Sequence, residues 1–257
     1  MGKNFTPIEA ADINQHLSGT ELVELKIDGT MMTWDGTKFV SNRGVERSDR
    51  YSHITQELDQ IDALVEGEVA IPADAGMLPH VLNLNKKENW HKARFYLFGV
   101  HEIKGKDVRD ADPHEARRII DDLLSQRWSH LRSCRLFKDF KTGWDFVERQ
   151  VTRGGYAEGL VVKGSTKTWK IKKLTEAKLP IVGFEDGSLK GAFLIAMPNG
   201  EVGKVSGTSV GFVQQYRQHL ADNEKPYVEI EYQFLTDRGV PFQPRLRRMG
   251  TLADLNS

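Results

Sequence analysis

Cysteine is almost absent from this sequence: Cys134 stands alone among 257 residues. One thiol closes no internal disulfide and lacks the companions that a structural zinc site needs, so a reducing cytoplasm is the expected location. Nowhere does the chain approach the ~20 consecutive apolar residues that cross a bilayer. Its opening Met-Gly-Lys-Asn-Phe-Thr-Pro has no apolar segment behind the charge, which argues against a secretory signal. Gly2 reads as part of an ordinary initiator region rather than an acylation site, because nothing else supports membrane attachment. An excess of one charge is missing too, since 36 basic and 36 acidic residues cancel. No global positive field marks a nucleic-acid binder, although a local basic strip within a neutral total is not excluded. Internal repeats and low-complexity tracts are also absent.

What is present is an ordinary globular composition, 39% hydrophobic and 28% charged, in a length that suits one large domain or two modest ones. The first half alternates extended and helical runs. Leu22–Ile27, Met31–Trp34 and Lys38–Val40 form a small meander around the Asp28-Gly29 and Asp35-Gly36 turns. Ala63–Ile71 and Arg94–Val100 are apolar strands, and Pro72 ends the first. Pro113–Trp128 reads as a helix with Asp112 at its N-cap and Pro113 at its first position. Trp144–Val151 is a shorter helix, and Gly159–Lys163 and Thr168–Lys172 return to strand.

The polar run Leu174–Leu179, ending at Pro180, marks the expected domain boundary. Beyond it, Ile181–Phe184, Gly191–Ala196 and Glu201–Val205 are short strands joined at Asp186-Gly187 and Asn199-Gly200. A helix over Val210–Leu220 and a strand over Tyr227–Phe234 follow, a pattern that suits a small Greek-key barrel of the OB type.

The most informative segment is Glu24-Leu25-Lys26-Ile27-Asp28-Gly29. A lysine closing an apolar strand before an Asp-Gly turn sits where its amine can meet a ligand. Taken alone this is weak, since most strand-end lysines are solvated. Glu66-Gly67-Glu68, Phe95-Tyr96-Leu97-Phe98, Glu158-Gly159-Leu160-Val161-Val162-Lys163 and Trp169-Lys170-Ile171-Lys172 then follow in order. Together these segments resemble the covalent nucleotidyltransferases: ATP-dependent DNA ligases, RNA ligases and mRNA capping enzymes. Lys26-Ile27-Asp28-Gly29 matches the nucleophile motif, and Ser41-Asn42-Arg43-Gly44 sits where the next is expected. The likeness spans about residues 20 to 175 at motif level.

The resemblance implies an α+β chain of two domains. Residues 1–176 would form an adenylation (nucleotidyltransferase) domain of antiparallel sheets with helices, and residues 177–257 a C-terminal OB-fold β-barrel. It also implies a minimal ligase that seals nicked duplex DNA with ATP and Mg²⁺, Mn²⁺ being a substitute. Lys26 would carry the adenylate. An unperturbed lysine near pKa ~10.4 is protonated at pH 7, so attack requires nearby cations or desolvation. Lys163, Lys170 and Lys172 would supply that charge and bind the triphosphate; alternation places Lys170 and Lys172 on one strand face. Glu68 and Glu158 would serve as metal ligands, with Glu68 also near the ribose. Glu24 would contact the adenine side and Phe98 would stack on the base, although plain core packing accounts for Phe98 equally well. Arg43 would contact the nick phosphate or the ribose, with Arg47 and Arg50 continuing a basic loop. Asp28 would order its turn, and Glu66 would be structural.

Three departures stand out. Arg245, Arg247 and Arg248 occupy the place of the final motif, but Arg247-Arg248-Met249-Gly250-Thr251 lacks the usual Asp-Lys pairing. These arginines either close over ATP or bind DNA. Met31 stands where the nucleophile motif often continues with arginine, and Gly99 stands where the aromatic strand usually carries an acid. RNA ligase is the nearest rival reading, and a non-catalytic nucleic-acid-binding relative is a third. With Lys26 so near the first residue, no additional N-terminal DNA-binding domain is expected, nor an obligate protein partner; a monomer is. The histidines, among them His80, His91, His101, His114, His130 and His219, are scattered and read as surface or core residues.

Overall fold

A computed structural model describes residues 5–72, 84–152, 157–186, 191–206 and 208–256. The chain divides into two compact units, Met1–Lys172 and Lys173–Ser257.

Two sheets build the first unit. One contains β1 (Phe5–Pro7), β2 (Leu22–Lys26), β9 (Leu136–Phe137), β10 (Gly159–Lys163) and β11 (Thr168–Lys172), in the order β1-β11-β10-β2-β9. The other contains β3 (Thr30–Trp34), β4 (Phe39–Ser41), β5 (Ala63–Ala70), β6 (Arg94–Ile103) and β7 (Lys106–Asp107), in the order β4-β3-β5-β6-β7, with β8 (Leu131–Ser133) alongside β6. Pairing is antiparallel, as expected, except at β1–β11 and β6–β8, which are parallel. Strands β10 and β11 occupy the residues the alternating pattern predicts. Their apolar positions Leu160, Val162 and Ile171 are fully buried and pack with Val23, Phe140 and Val147. Lysines fall between them on the opposite face.

Helix α1 (Ser52–Leu58) was not expected; its single apolar pair, Ile54 and Leu58, is fully buried beneath the second sheet. Helix α2 (Pro113–Leu123) begins as predicted, with the Asp112 carboxylate accepting from the amides of His114 and Glu115. It stops five residues earlier than predicted. The Trp128 indole turns back to donate to Leu123 O at 3.0 Å, satisfying a carbonyl of the last turn. Helix α3 (Phe140–Thr152) starts before the predicted Trp144, because Asp139 already accepts from Thr142 N at 2.7 Å.

In the second unit β12 (Thr175–Glu185), β13 (Ala192–Ala196), β14 (Val202–Ser206), β15 (Tyr227–Tyr232) and β16 (Arg245–Gly250) form one sheet ordered β14-β13-β12-β15-β16, with α4 (Val210–Ala221) between β14 and β15 in sequence. The polar run read as a boundary is the first half of β12. Thr175 to Pro180 pair with β15, and Ile181 to Glu185 pair with β13 across a bulge. A strand that changes partner midway curls its sheet. The boundary expected after Glu176 therefore falls within a strand, since Thr175 and Glu176 already lie opposite Tyr232 and Glu231. Leu179, Ile181, Phe193, Ile195, Val205, Val228 and Ile230 fill the core of this curl. Gly187 and His80 lie outside the described residues. Among the described residues no helix is long and apolar enough to cross a membrane.

Candidate active site

Strand register assembles the site. Antiparallel pairing sets Glu24 opposite Val161 and Lys26 opposite Gly159, while β11 sets Lys170 opposite Val161 and Lys172 opposite Gly159. With side chains alternating across each strand, Glu24, Lys26, Lys163, Lys170 and Lys172 all project from one face. Gly159 is required at the centre. Its φ is +146°, and a Cβ there would lie 1.9 Å from Ile171 O.

The Lys26 amine donates to Glu158 Oε2 at 2.5 Å, and Lys172 Nζ lies 2.7 Å from Glu158 Oε1. Glu158 is only 3% exposed, so its charge is compensated by two ammonium groups. Glu24, 2% exposed, is held in the same way by Lys163 Nζ at 2.6 Å and Arg117 Nη1 at 3.2 Å. Lys163 also donates to Phe98 O at 2.8 Å, and its ammonium lies 5.8 Å from the Phe98 ring centre.

A cavity of about 640 Å³ opens along this face. Glu24, Lys26, Arg43, Arg47, Glu68, Phe98, Lys163 and Lys170 all line it. Burial pushes the Glu68 carboxyl up to about 8; the Lys26 charge opposes the shift, and Glu158 and Asp28 reinforce it. Burial, aided by the Lys26 charge, holds the Lys170 amine below its ordinary value. Mg²⁺ is bound through one or two carboxylates together with phosphate oxygens and water, so Glu68 on the cavity wall fits that ion, whereas Glu158 would join it only by exchanging Lys26 or Lys172, which hold its two oxygens; no group of three His, Cys, Asp or Glu exists among the described residues.

Not every sequence candidate sits on this cavity. Arg43 and Arg47 are exposed at its wall with no carboxylate partner among the described residues. Arg50 also lines it, but its guanidinium donates to Leu84 O and lies 4.1 Å from the Trp90 ring centre, so it holds a loop together. The terminal arginines belong to β16 of the other unit. Arg247 pairs with Glu231, and Arg248 lies 3.9 Å from Glu229 and donates to Asp254 O at 3.0 Å. Arg245 is exposed. A bulge between Glu229 and Ile230 throws Arg247 out of the pairing that joins Arg245 to Glu231 and Arg248 to Glu229.

The departures acquire a geometry. Met31 lines the cavity and lies opposite Glu68 in the β3–β5 register. Gly99 lies beneath Glu66: a Cβ there would meet Glu66 Cγ and Oε1 at 2.5 Å. The Glu66 carboxylate thus covers the place a longer side chain would take, 3.3 Å from His101 Nε2. Sequence reasoning missed Arg117 and Cys134. Arg117 arrives from the polar face of α2 and gives no local signal, whereas Cys134 lines the cavity as a buried thiol whose pKa burial raises.

No protein-family profile and no curated protein matches the chain. Solved structures do. A structure from work on Lig E DNA ligases, concerned with DNA binding with a minimal scaffold, superposes at TM-score 0.64 with 18% identity, covering 96% of this chain and 99% of that one. The ligase domain of M. tuberculosis LigD gives 0.54 at 15% identity, covering 96% and 94%. A mycobacterial DNA ligase D complexed with ATP and MES gives 0.50 at 16%, covering 91% and 90%. At these identities the likeness is one of fold. The chain has the mixed helix and sheet fold of ATP-dependent DNA ligases, resembling their adenylation and OB-fold domains.

Proposed function

We propose that this protein is an ATP-dependent DNA ligase that seals nicks in duplex DNA. The observation that carries the reading is the convergence of Lys26, Glu24, Glu68, Phe98, Lys163 and Lys170 on one cavity, with Glu158 bonded to the Lys26 amine. A fold shared with DNA ligases supports it.

Lys26 Nζ, having given up a proton, attacks the α-phosphorus of ATP. The new N–P bond forms as the bond to the β-phosphate bridging oxygen breaks, and pyrophosphate leaves. A 5′-phosphate oxygen at the nick then takes the AMP, breaking the N–P bond and returning the amine. Finally the 3′-hydroxyl attacks the 5′-phosphorus, loses its proton and expels AMP. Lys163, Lys170 and Lys172 offset the phosphate charge, which grows on the leaving oxygens. Mg²⁺, held by Glu68 and Glu158, would polarise a phosphate oxygen. Glu24 and Phe98 hold the base, while Arg43 and Arg47 meet the nick phosphate. Arg245, which is exposed, and Arg247 and Arg248, on release from Glu231 and Glu229, would meet ATP or the DNA backbone, in an OB-fold domain that follows the adenylation domain. The protein works as a monomer in the cytoplasm.

Incubation with α-labelled ATP tests the first step. Label should join the protein covalently and be lost in Lys26→Ala; no adduct, or one that survives that substitution, rejects the enzyme. Nicked duplexes differing only in DNA or RNA strands then test the substrate, and preferential sealing of all-DNA nicks is the expected result.

A further inference from the structure

Arg117 belongs to no motif, yet from α2 it reaches a strand 93 residues earlier in the chain. Resting on the ATP reading above, we propose that Arg117 is a positioning residue for nucleobase selection. It fixes the Glu24 carboxylate as an acceptor that favours a purine carrying a 6-amino donor.

The two cations on Glu24 are anchored differently. Arg117 is 11% exposed, and besides Glu24 it donates to Cys134 O at 2.8 Å, Ser133 Oγ at 3.1 Å and Asp121 Oδ1 at 2.9 Å. Four acceptors around a planar fork leave it one orientation. Cys134 lines the cavity, so the guanidinium is tied to the cavity wall as well as to Glu24. Helix α2 is itself pinned near β2, because His114 Nε2 lies 2.8 Å from Thr20 O. Lys163 has fewer anchors, Glu24 at 2.6 Å and Phe98 O at 2.8 Å, on a stem with more rotatable bonds, and it lines the cavity a triphosphate would enter. Were Lys163 to turn to phosphate, Arg117 alone would remain to compensate the buried Glu24 charge.

An ionised carboxylate is acceptor-only, so it pairs with an exocyclic amine and repels a carbonyl oxygen at the same position. When the ligand offers no donor there, a buried acceptor is left unmade, which is how such sites discriminate strongly. Without Arg117 the carboxylate would lose both its orientation and its fixed counter-charge.

The test measures Lys26 adenylylation with ATP, purine riboside triphosphate (which lacks the 6-amino group) and GTP. Wild type, Arg117→Met, Arg117→Lys, Glu24→Gln and the Arg117→Met/Glu24→Gln double variant are compared. Arg117→Met should raise KM for ATP about tenfold, in line with loss of a charged hydrogen bond, and shrink the preference for ATP over purine riboside triphosphate by a similar factor. Arg117→Lys should recover part of that preference, keeping the charge without the fork. In the Glu24→Gln background, Arg117→Met should change discrimination little further, the mark of coupled residues. If Arg117→Met does not fold, the same comparison is made with Arg117→Lys across the Glu24→Gln cycle. A merely structural arginine would lower the melting temperature and leave the ATP preference at its wild-type value, and that result overturns the proposal. Absence of any adduct in the wild type would instead reject the ligase reading itself.

Discussion

Lys26 and Glu158 meet at 2.5 Å although 132 residues separate them, because β2 and β10 pair with Lys26 opposite Gly159. The same carboxylate holds Lys172, so one buried acid balances two ammonium groups. Glu158→Gln should therefore destabilise the protein by about 3 kcal/mol, the lower end for breaking a buried ion pair, and should depress adenylate formation. Urea unfolding and label incorporation measure the two effects separately.

Gly159 is the hinge of that register. An alanine Cβ would press on Ile171 O at 1.9 Å in a backbone conformation that side chains rarely adopt. Gly159→Ala should cost more than ~3 kcal/mol, among the large effects tied to backbone strain, and abolish adenylation. Denaturant midpoints compared with a Gly200→Ala control, where φ is +84° but nothing lies within 4 Å, separate the clash from the strain of a positive φ.

Glu68 predicts a pH dependence. Its folded carboxyl is raised from 4.5 to about 8, chiefly by burial, so the folded state binds a proton that the unfolded state has released. The resulting stabilisation is complete below the unfolded value and disappears as pH rises through about 8. Metal-free protein should thus show a higher urea midpoint at pH 6 than at pH 8.5, other groups held equal. Glu68→Gln should flatten the difference. Mg²⁺ bound at Glu68, as proposed, would displace that proton, so its affinity should increase across the same window.

Much of this was legible in the sequence where one rule governed the residues. The alternation of apolar residues and lysines fixed β10 and β11, and Asp112-Pro113 marked the start of α2. Only the second half of β12 was readable as strand, over Ile181–Phe184; its first half exposes Glu176 and Lys178 and then meets a proline, so that polar run was read as the place of the domain boundary. Helix α1 is too short for its periodicity to register. At the site, strand residues were readable from order and alternation. Arg117 was not, since only the packing of α2 brings it to Glu24. Arg50, expected to continue a basic loop along a nucleic-acid backbone, lines the cavity but is held by Trp90 and Leu84 O, contacts that its neighbours in sequence do not announce.

Gly99 and Glu66 are predicted to be a coupled pair. Gly99→Asp places a side chain where Glu66 already lies and should destabilise the protein by about 2 kcal/mol, the range of overpacking. Adding Glu66→Gly should recover a large part of the loss. A double-mutant cycle by thermal unfolding measures it, and additive losses would show that the two positions do not compete for one space.

Peptide mapping by mass spectrometry after incubation with ATP and Mg²⁺ tests the central claim most directly. One AMP attached to the Lys26 side-chain nitrogen is expected, released when nicked DNA is added. An AMP found on another residue, or no modified peptide at saturating ATP, would contradict it.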